Sequence, residues 1–230
     1  MIRTLLKFYQ NDYKKFYSDN YRSEIDGLRS LSIILVLFYH YEYYFLDSNY
    51  FSGGYLGVDI FFVISGYLIF KIIYKEIKNN NFNYFIFLFK RARRILPVLL
   101  LAIIIFKILI FSNLIGQIEK NNFINESIFS SLFISNIYYY YNDIGYGDIE
   151  QFFKHTWSLG VEEQFYLFIP LLSLFIIAIS KNKYFILAFF ILISFFSLGL
   201  ASYYLGSNYN FVFFNTLTRA WELLLGVIVF

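Results

Sequence analysis

Arg29 and His40 stand eleven residues apart in the stretch YRSEIDGLRSLSIILVLFYH, at the two ends of a mostly apolar run. At about 1.5 Å rise and about 100° of turn per residue, that separation is roughly 16–17 Å and within some 20° of three full turns. A helix here carries both side chains on one face, with the arginine at a membrane edge and the histidine well inside. Ionisable residues at such depth are expensive in lipid and face a cavity, a partner or a pathway. A neutral histidine in a partly dry cavity can take a proton from a hydroxyl and return it to a leaving group. The competing account is a histidine that only hydrogen-bonds across helices.

Four further stretches place polar groups where chemistry is conceivable. In FKRARRILP, Arg91 and Arg94 are three apart, on one side of an expected helix start. Guanidinium forks suit phosphate oxygens, and a helix N-terminus would add its dipole; a plain basic topology signal explains the same residues. GVDIFFVISGYLIF sets Asp59 and Ser65 among apolar residues, where the acid would pair with an arginine or orient the histidine. HTWSLGVEEQFYLFIP holds two adjacent glutamates: Glu162 shares a face with Tyr166, four residues on, while Glu163 points about 100° away. Helix N-termini favour acids, so a structural role competes with a catalytic one. In TRAWELLLG, Arg219 and Glu222 are three apart, and an internal ion pair is the simplest account.

The elements that must position these residues are membrane helices. Of 230 residues, 59% are hydrophobic and only 15% charged, against roughly a quarter charged in soluble domains. Several apolar runs approach the length that crosses a bilayer, so the expected fold is an all-α polytopic bundle with about six to seven membrane segments. The absence of cysteine excludes disulfides and thiolate metal sites, and two histidines are too few for a zinc cluster, so no metal is expected. Nothing points to nucleic acid. Spans are expected at about 28–46, 55–74, 95–112, 159–179 and 184–205, with Pro97 in the first turn of the third. A last span from about 216 is expected to be incomplete, because WELLLGVIVF stops inside an apolar run. Residues 1–20, with Arg3, Lys7, Lys14 and Lys15 among aromatics, fit an interfacial helix. The basic flank at 75–94 then places the N-terminus and that loop in the cytoplasm, and the loop at 47–54 outside. Segment 123–141 contains Glu126, three serines and Asn136, and is expected to be re-entrant or a buried half-helix.

Taken in order, YRSEIDGLRSLSIILVLFYH, GGYLGVDIFFVISGYLI, KRARRILP, HTWSLGVEEQFYL and TRAWELLLG resemble the signature blocks of the acyltransferase 3 family. These are integral-membrane O-acyltransferases acting on cell-surface glycans. The resemblance covers residues 21–230 as one transmembrane domain. It puts the family's Arg–ten residues–His motif on Arg29 and His40, and its Arg-x-x-Arg motif on Arg91 and Arg94. Its Ser-Leu-x-x-Glu-Glu block falls on Ser158, Leu159, Glu162 and Glu163.

The resemblance implies acetyl-CoA or another acyl-CoA as donor substrate, no permanently bound cofactor, and a surface glycan or lipid-linked sugar as acceptor. Arg91 and Arg94 would hold the donor's phosphates, with Arg29 continuing the basic path. His40 would be the general base or a transient acyl carrier, and Glu162 or Glu163 would orient the histidine or the sugar. Asp59, Trp157, Ser158, Arg219 and Glu222 are the candidate substrate contacts. The expected location is the inner or plasma membrane, with a polar tunnel behind the first three helices. The family core runs on for several more spans, so the chain is expected to be an N-terminal part. Two other classes fit the same residues: a transporter or flippase for an acyl group or lipid-linked glycan, and a fragment whose polar residues only join helices.

Overall fold

The structure, a computed structural model, describes residues 22–45, 50–112, 120–145 and 151–230. The basic segment 1–20 and the expected span end at Leu46 lie outside them. The chain divides into two units, Met1–Phe61 and Phe62–Phe230. The described residues form nine α-helices and no strand: α1 Ser23–Phe45, α2 Leu56–Lys78, α3 Tyr84–Phe111, α4 Lys120–Ser131, α5 Ser135–Tyr141, α6 Thr156–Ile179, α7 Lys183–Tyr204, α8 Tyr209–Phe214 and α9 Thr216–Val229. Among them α2, α3, α6, α7 and the α8–α9 pair are long and apolar enough to cross a membrane. The all-α polytopic expectation holds, with five such helices among the described residues against the six to seven segments expected, and α1, expected as the first span, is not one of the five.

In the first unit, α1 opens with Glu24 and Asp26 in its first turn, acids that complement the free N–H groups of a helix N-terminus. One stripe of α1 is covered: Arg29, Leu35, Val36, Tyr39 and His40 are half-buried and Ser32 is fully buried, while Leu31, Ile33, Ile34, Leu37 and Phe38 are exposed. Two glycines permit that cover. A Cβ at Gly57 would run into the Ser32 carbonyl oxygen, and one at Gly54 into that of Leu35.

In the second unit, α3 departs from expectation. It starts at Tyr84, capped by the Asn83 side chain, which accepts the Ile86 N–H at 3.0 Å. Pro97 therefore sits inside the helix rather than in its first turn. At 28 residues, α3 is about 42 Å long, well beyond a hydrocarbon core of about 30 Å. The stretch 84–94, in which YFIFLF is followed by Lys90, Arg91, Arg93 and Arg94, extends the helix past the long apolar run, and that run alone marked the expected span. The segment 123–141, expected to be re-entrant or a buried half-helix, forms two short helices, α4 and α5. It breaks between α4 and α5, where Phe133 takes a φ of 58°. The break frees the Phe133 carbonyl, which accepts the Gln164 Nε2–H at 3.0 Å. Between α7 and α9 lies the short helix α8, separated from α9 by Asn215, which caps α9 by accepting the Leu217 N–H at 2.8 Å.

Three packing devices hold α6 and α9 in place. At the crossing of α2 and α9 the backbones touch: a Cβ at Gly66 would strike the Leu223 carbonyl, and one at Gly226 that of Val63. Small residues allow such approach where lipid removes the hydrophobic drive between helices. On α7, Ser197 donates to the Leu217 carbonyl at 2.6 Å and accepts the Trp221 N–H at 2.9 Å. Ile110, Phe123 and Phe153 form a small core joining α3 and α4 to the approach to α6.

Candidate active site

Arg29 and His40 both project from the covered stripe of α1, as the three-turn spacing requires. The Arg29 guanidinium lies 5.3 Å from the Phe61 ring centroid, a cation–π contact that holds a charge without neutralising it. Asp59 occupies the first turn of α2 and is half-buried.

In the second unit the two glutamates of α6 differ sharply. Glu162 is buried, and its Oε2 accepts from Tyr166 OH at 2.8 Å and from Ser65 Oγ at 3.1 Å. The pairing with Tyr166 is the face-sharing that the four-residue spacing demands. Ser65, from the second span, thereby joins α2 to α6. Glu163 is also buried, yet its Oε1 has no hydrogen-bond partner among the described residues. The positive charge acting on it is that of Arg91, whose guanidinium lies 5.7 Å from the Phe87 ring centroid. The structure thus brings the Arg-x-x-Arg and Glu-Glu blocks together through one member of each.

Arg94 is exposed. Neither arginine is at a helix start: with Asn83 as cap they lie two to three turns into α3, so the expected dipole contribution is absent. The effect fades within the first turn. What remains for anion binding is the guanidinium fork itself.

Trp157 is buried against Phe213 and Phe214, at ring separations of 4.5 and 5.8 Å. The Arg219 guanidinium lies 5.6 Å from its centroid and 5.0 Å from that of Phe213. Arg219 also pairs with Glu222 at 2.7 Å and donates from Nε to the Phe213 carbonyl at 3.2 Å. The ion pair expected from the spacing is present, and it ties α6, α8 and α9 around the tryptophan. Ser158 is half-buried and donates to the His155 carbonyl at 3.3 Å.

Two polar clusters were not legible as such in the sequence. Gln164 donates to Asn136 Oδ1 at 2.8 Å and accepts from Thr216, while Asn136 Nδ2 donates to the Phe214 carbonyl at 3.0 Å. This joins α5, α6 and α9. The second cluster surrounds Glu126, which is fully buried. The only early signal was polar residues in otherwise apolar runs, without any indication of what they meet.

The family profile described as an acyltransferase domain matches residues 22–230. The O-acetyltransferase OatA of Staphylococcus aureus (strain NCTC 8325 / PS 47) is 35% identical over 226 residues, covering 94% of this chain and 35% of that protein. SAS0844 of strain MSSA476, named for the same activity, is 35% identical over 227 residues, covering 94% of this chain and 36% of its own length. The chain thus spans about a third of the curated relatives it matches. No solved structure matches it. The motif blocks, the membrane helices that carry them and the profile spanning them agree: the chain belongs to the acyltransferase 3 family.

Proposed function

We propose that this chain carries the membrane part of an O-acetyltransferase that moves an acetyl group from acetyl-CoA to a hydroxyl of a cell-surface glycan or lipid-linked sugar. The single observation that carries the reading is the placement of Arg29 and His40 together on the covered stripe of a helix whose opposite stripe, Leu31, Ile33, Ile34, Leu37 and Phe38, is apolar and exposed. A charge and a titratable ring are retained there at a solvation cost, and that cost is understandable if the stripe lines a path for a polar substrate. The names of the relatives support acetyl as the group transferred.

The chemistry follows from the residue types. His40 takes the proton of the acceptor hydroxyl as its oxygen attacks the thioester carbonyl. The carbon–sulfur bond then breaks, and the CoA thiolate leaves with the proton held by the imidazolium. The products are the acetyl ester and free CoA. Arg91 and Arg94 bind donor phosphates at the cytoplasmic mouth, where the basic flank of Lys75, Lys78, Lys90, Arg93 and their neighbours faces inward under the positive-inside rule. Glu163, whose Oε1 has no hydrogen-bond partner among the described residues, orients the acceptor. Trp157, Ser158, Asp59, Arg219 and Glu222 shape the acceptor side. The enzyme sits in the plasma membrane with its N-terminus in the cytoplasm.

The test uses membranes carrying the protein, supplied with radiolabelled acetyl-CoA and cell-envelope glycan, with native protein and His40→Ala at matched levels. The expected result is label in glycan and release of free CoA with native protein, reduced about 10²–10⁴-fold by the substitution. Equal labelling by both removes His40 from the mechanism, and no labelling with native protein removes the acetyl-CoA reading.

A further inference from the structure

Glu126 belongs to none of the family-like blocks, yet it is the most deeply buried acid among the described residues, at 0% exposure. Its Oε2 accepts the Phe153 N–H at 2.9 Å and lies 3.3 Å from Tyr139 OH, which donates to it. Lys154, also buried, adds its positive charge. These contacts fall on the turn that starts α6. The peptide Glu126 grips belongs to Phe153, whose carbonyl accepts the Thr156 N–H at 2.8 Å; the Lys154 carbonyl accepts the Trp157 N–H at 3.0 Å.

A hydroxyl cluster reinforces the same joint. Thr156 Oγ1 is within hydrogen-bond distance of Ser130 Oγ on α4 (2.8 Å), Ser135 Oγ on α5 (3.0 Å) and the Phe153 carbonyl (2.6 Å). The broken α4–α5 segment is thus fastened at both of its helices to the first residue of α6. Glu162 and Glu163 follow about two turns later on the same rigid helix.

We propose that Glu126 is a positioning residue for acyl transfer: by fixing the Phe153–Thr156 turn it sets the rotation and depth of α6, and with them the place of the Glu163 carboxylate. This rests on the acyltransfer reading for its catalytic consequence, though not for its structural one. A buried carboxyl group held only to stabilise the fold would be a poor choice, since an apolar residue of similar volume commonly does as well. A carboxylate that must hold one backbone N–H at one distance is a device for geometry. A misplacement of about 1 Å at a reacting group can cost about 10²-fold in rate.

The test exploits the lack of cysteine in the chain. Glu163→Cys and, separately, Ile179→Cys at the far end of α6 are labelled with a methanethiosulfonate reagent, each with Glu126 native and with Glu126→Gln. The proposal expects the labelling rate at position 163 to change about fivefold or more, with position 179 unchanged within about twofold. In the acetyl-transfer assay, Glu126→Gln without either cysteine is expected to lower kcat about tenfold or more with KM for acetyl-CoA within about twofold.

Unchanged labelling at 163 overturns the proposal whatever happens to turnover. So does a matching change at 179, which would mark general loosening, or a turnover left at the native level. Should Glu126→Gln fail to accumulate, Tyr139→Phe removes one hydrogen bond and leaves the carboxylate. It must then shift position 163 in the same direction, and no shift overturns the proposal. If native protein transfers no acetyl group while labelling at 163 still responds to Glu126, the acyltransfer reading fails and the positioning stands.

Discussion

Helices α3 and α6 are both long enough to cross a membrane, and they use their sequences in opposite ways. The more apolar of the two, α3, buries only Phe87, Leu99 and Ile110 along 28 residues. The less apolar α6 buries twelve of 24, among them Glu162, Glu163, Thr156 and Ser173. In water this would be paradoxical. In a bilayer it is expected, because apolar side chains gain nothing by leaving lipid and polar ones must be enclosed by protein, water or ligand. The contrast teaches that the polar side chains of these two helices are enclosed where apolarity falls and burial rises.

The comparison breaks most readily at the glycines that let helices reach each other. Gly66→Val at the α2–α9 crossing meets backbone rather than a yielding side chain. It is expected to destabilise by about 3 kcal/mol, seen as a marked drop in detergent melting temperature and in the amount of folded protein. A melting curve like that of the native protein would show that the crossing is not close.

On α6 itself, Glu162→Ala strands the hydroxyls of Ser65 and Tyr166 in a buried site. A loss of about 2 kcal/mol follows, with Glu162→Gln milder because it keeps an acceptor. On the exposed side of α3, Val98→Ala should move the same melting curve by less than about 0.5 kcal/mol. A larger effect there would mean that a partner covers α3 and would weaken the contrast.

The smallest effect concerns pH. Burial, as the largest influence, holds the Glu126 carboxyl above the usual carboxylate range, against the hydrogen bonds from Phe153 and Tyr139 and the charge of Lys154. The neutral acid is thus favoured in the folded protein more than in the unfolded one. Stability is then highest below the ordinary carboxylate range and declines as pH rises through the raised value. Melting temperature should fall modestly over that window in native protein, and Glu126→Gln should flatten the decline. An unchanged slope in the variant would assign the pH dependence elsewhere.

Much of this was legible from residue types alone. Apolar runs announced α2, α6 and α7 within a few residues, because crossing a bilayer imposes a length and a composition on each segment. The spacing of Arg29 and His40 announced a shared stripe, and that of Glu162 and Tyr166 and of Arg219 and Glu222 announced contacts, because a helix repeats every 3.6 residues. What failed was local: Pro97 was expected to open a helix that instead begins at Tyr84 under an asparagine cap, since apolarity marks the membrane and not the helix end.

By itself, then, the sequence determined the membrane class, the helical periodicities and the motif blocks, all of which depend on neighbours along one chain. Only the tertiary structure decided that Glu162 is engaged by Ser65 while Glu163 sits near Arg91, and that Glu126 holds the turn before α6. Those pairings join residues from 27 to 97 positions apart in the chain. Two adjacent glutamates are chemically identical until packing gives each its own partner.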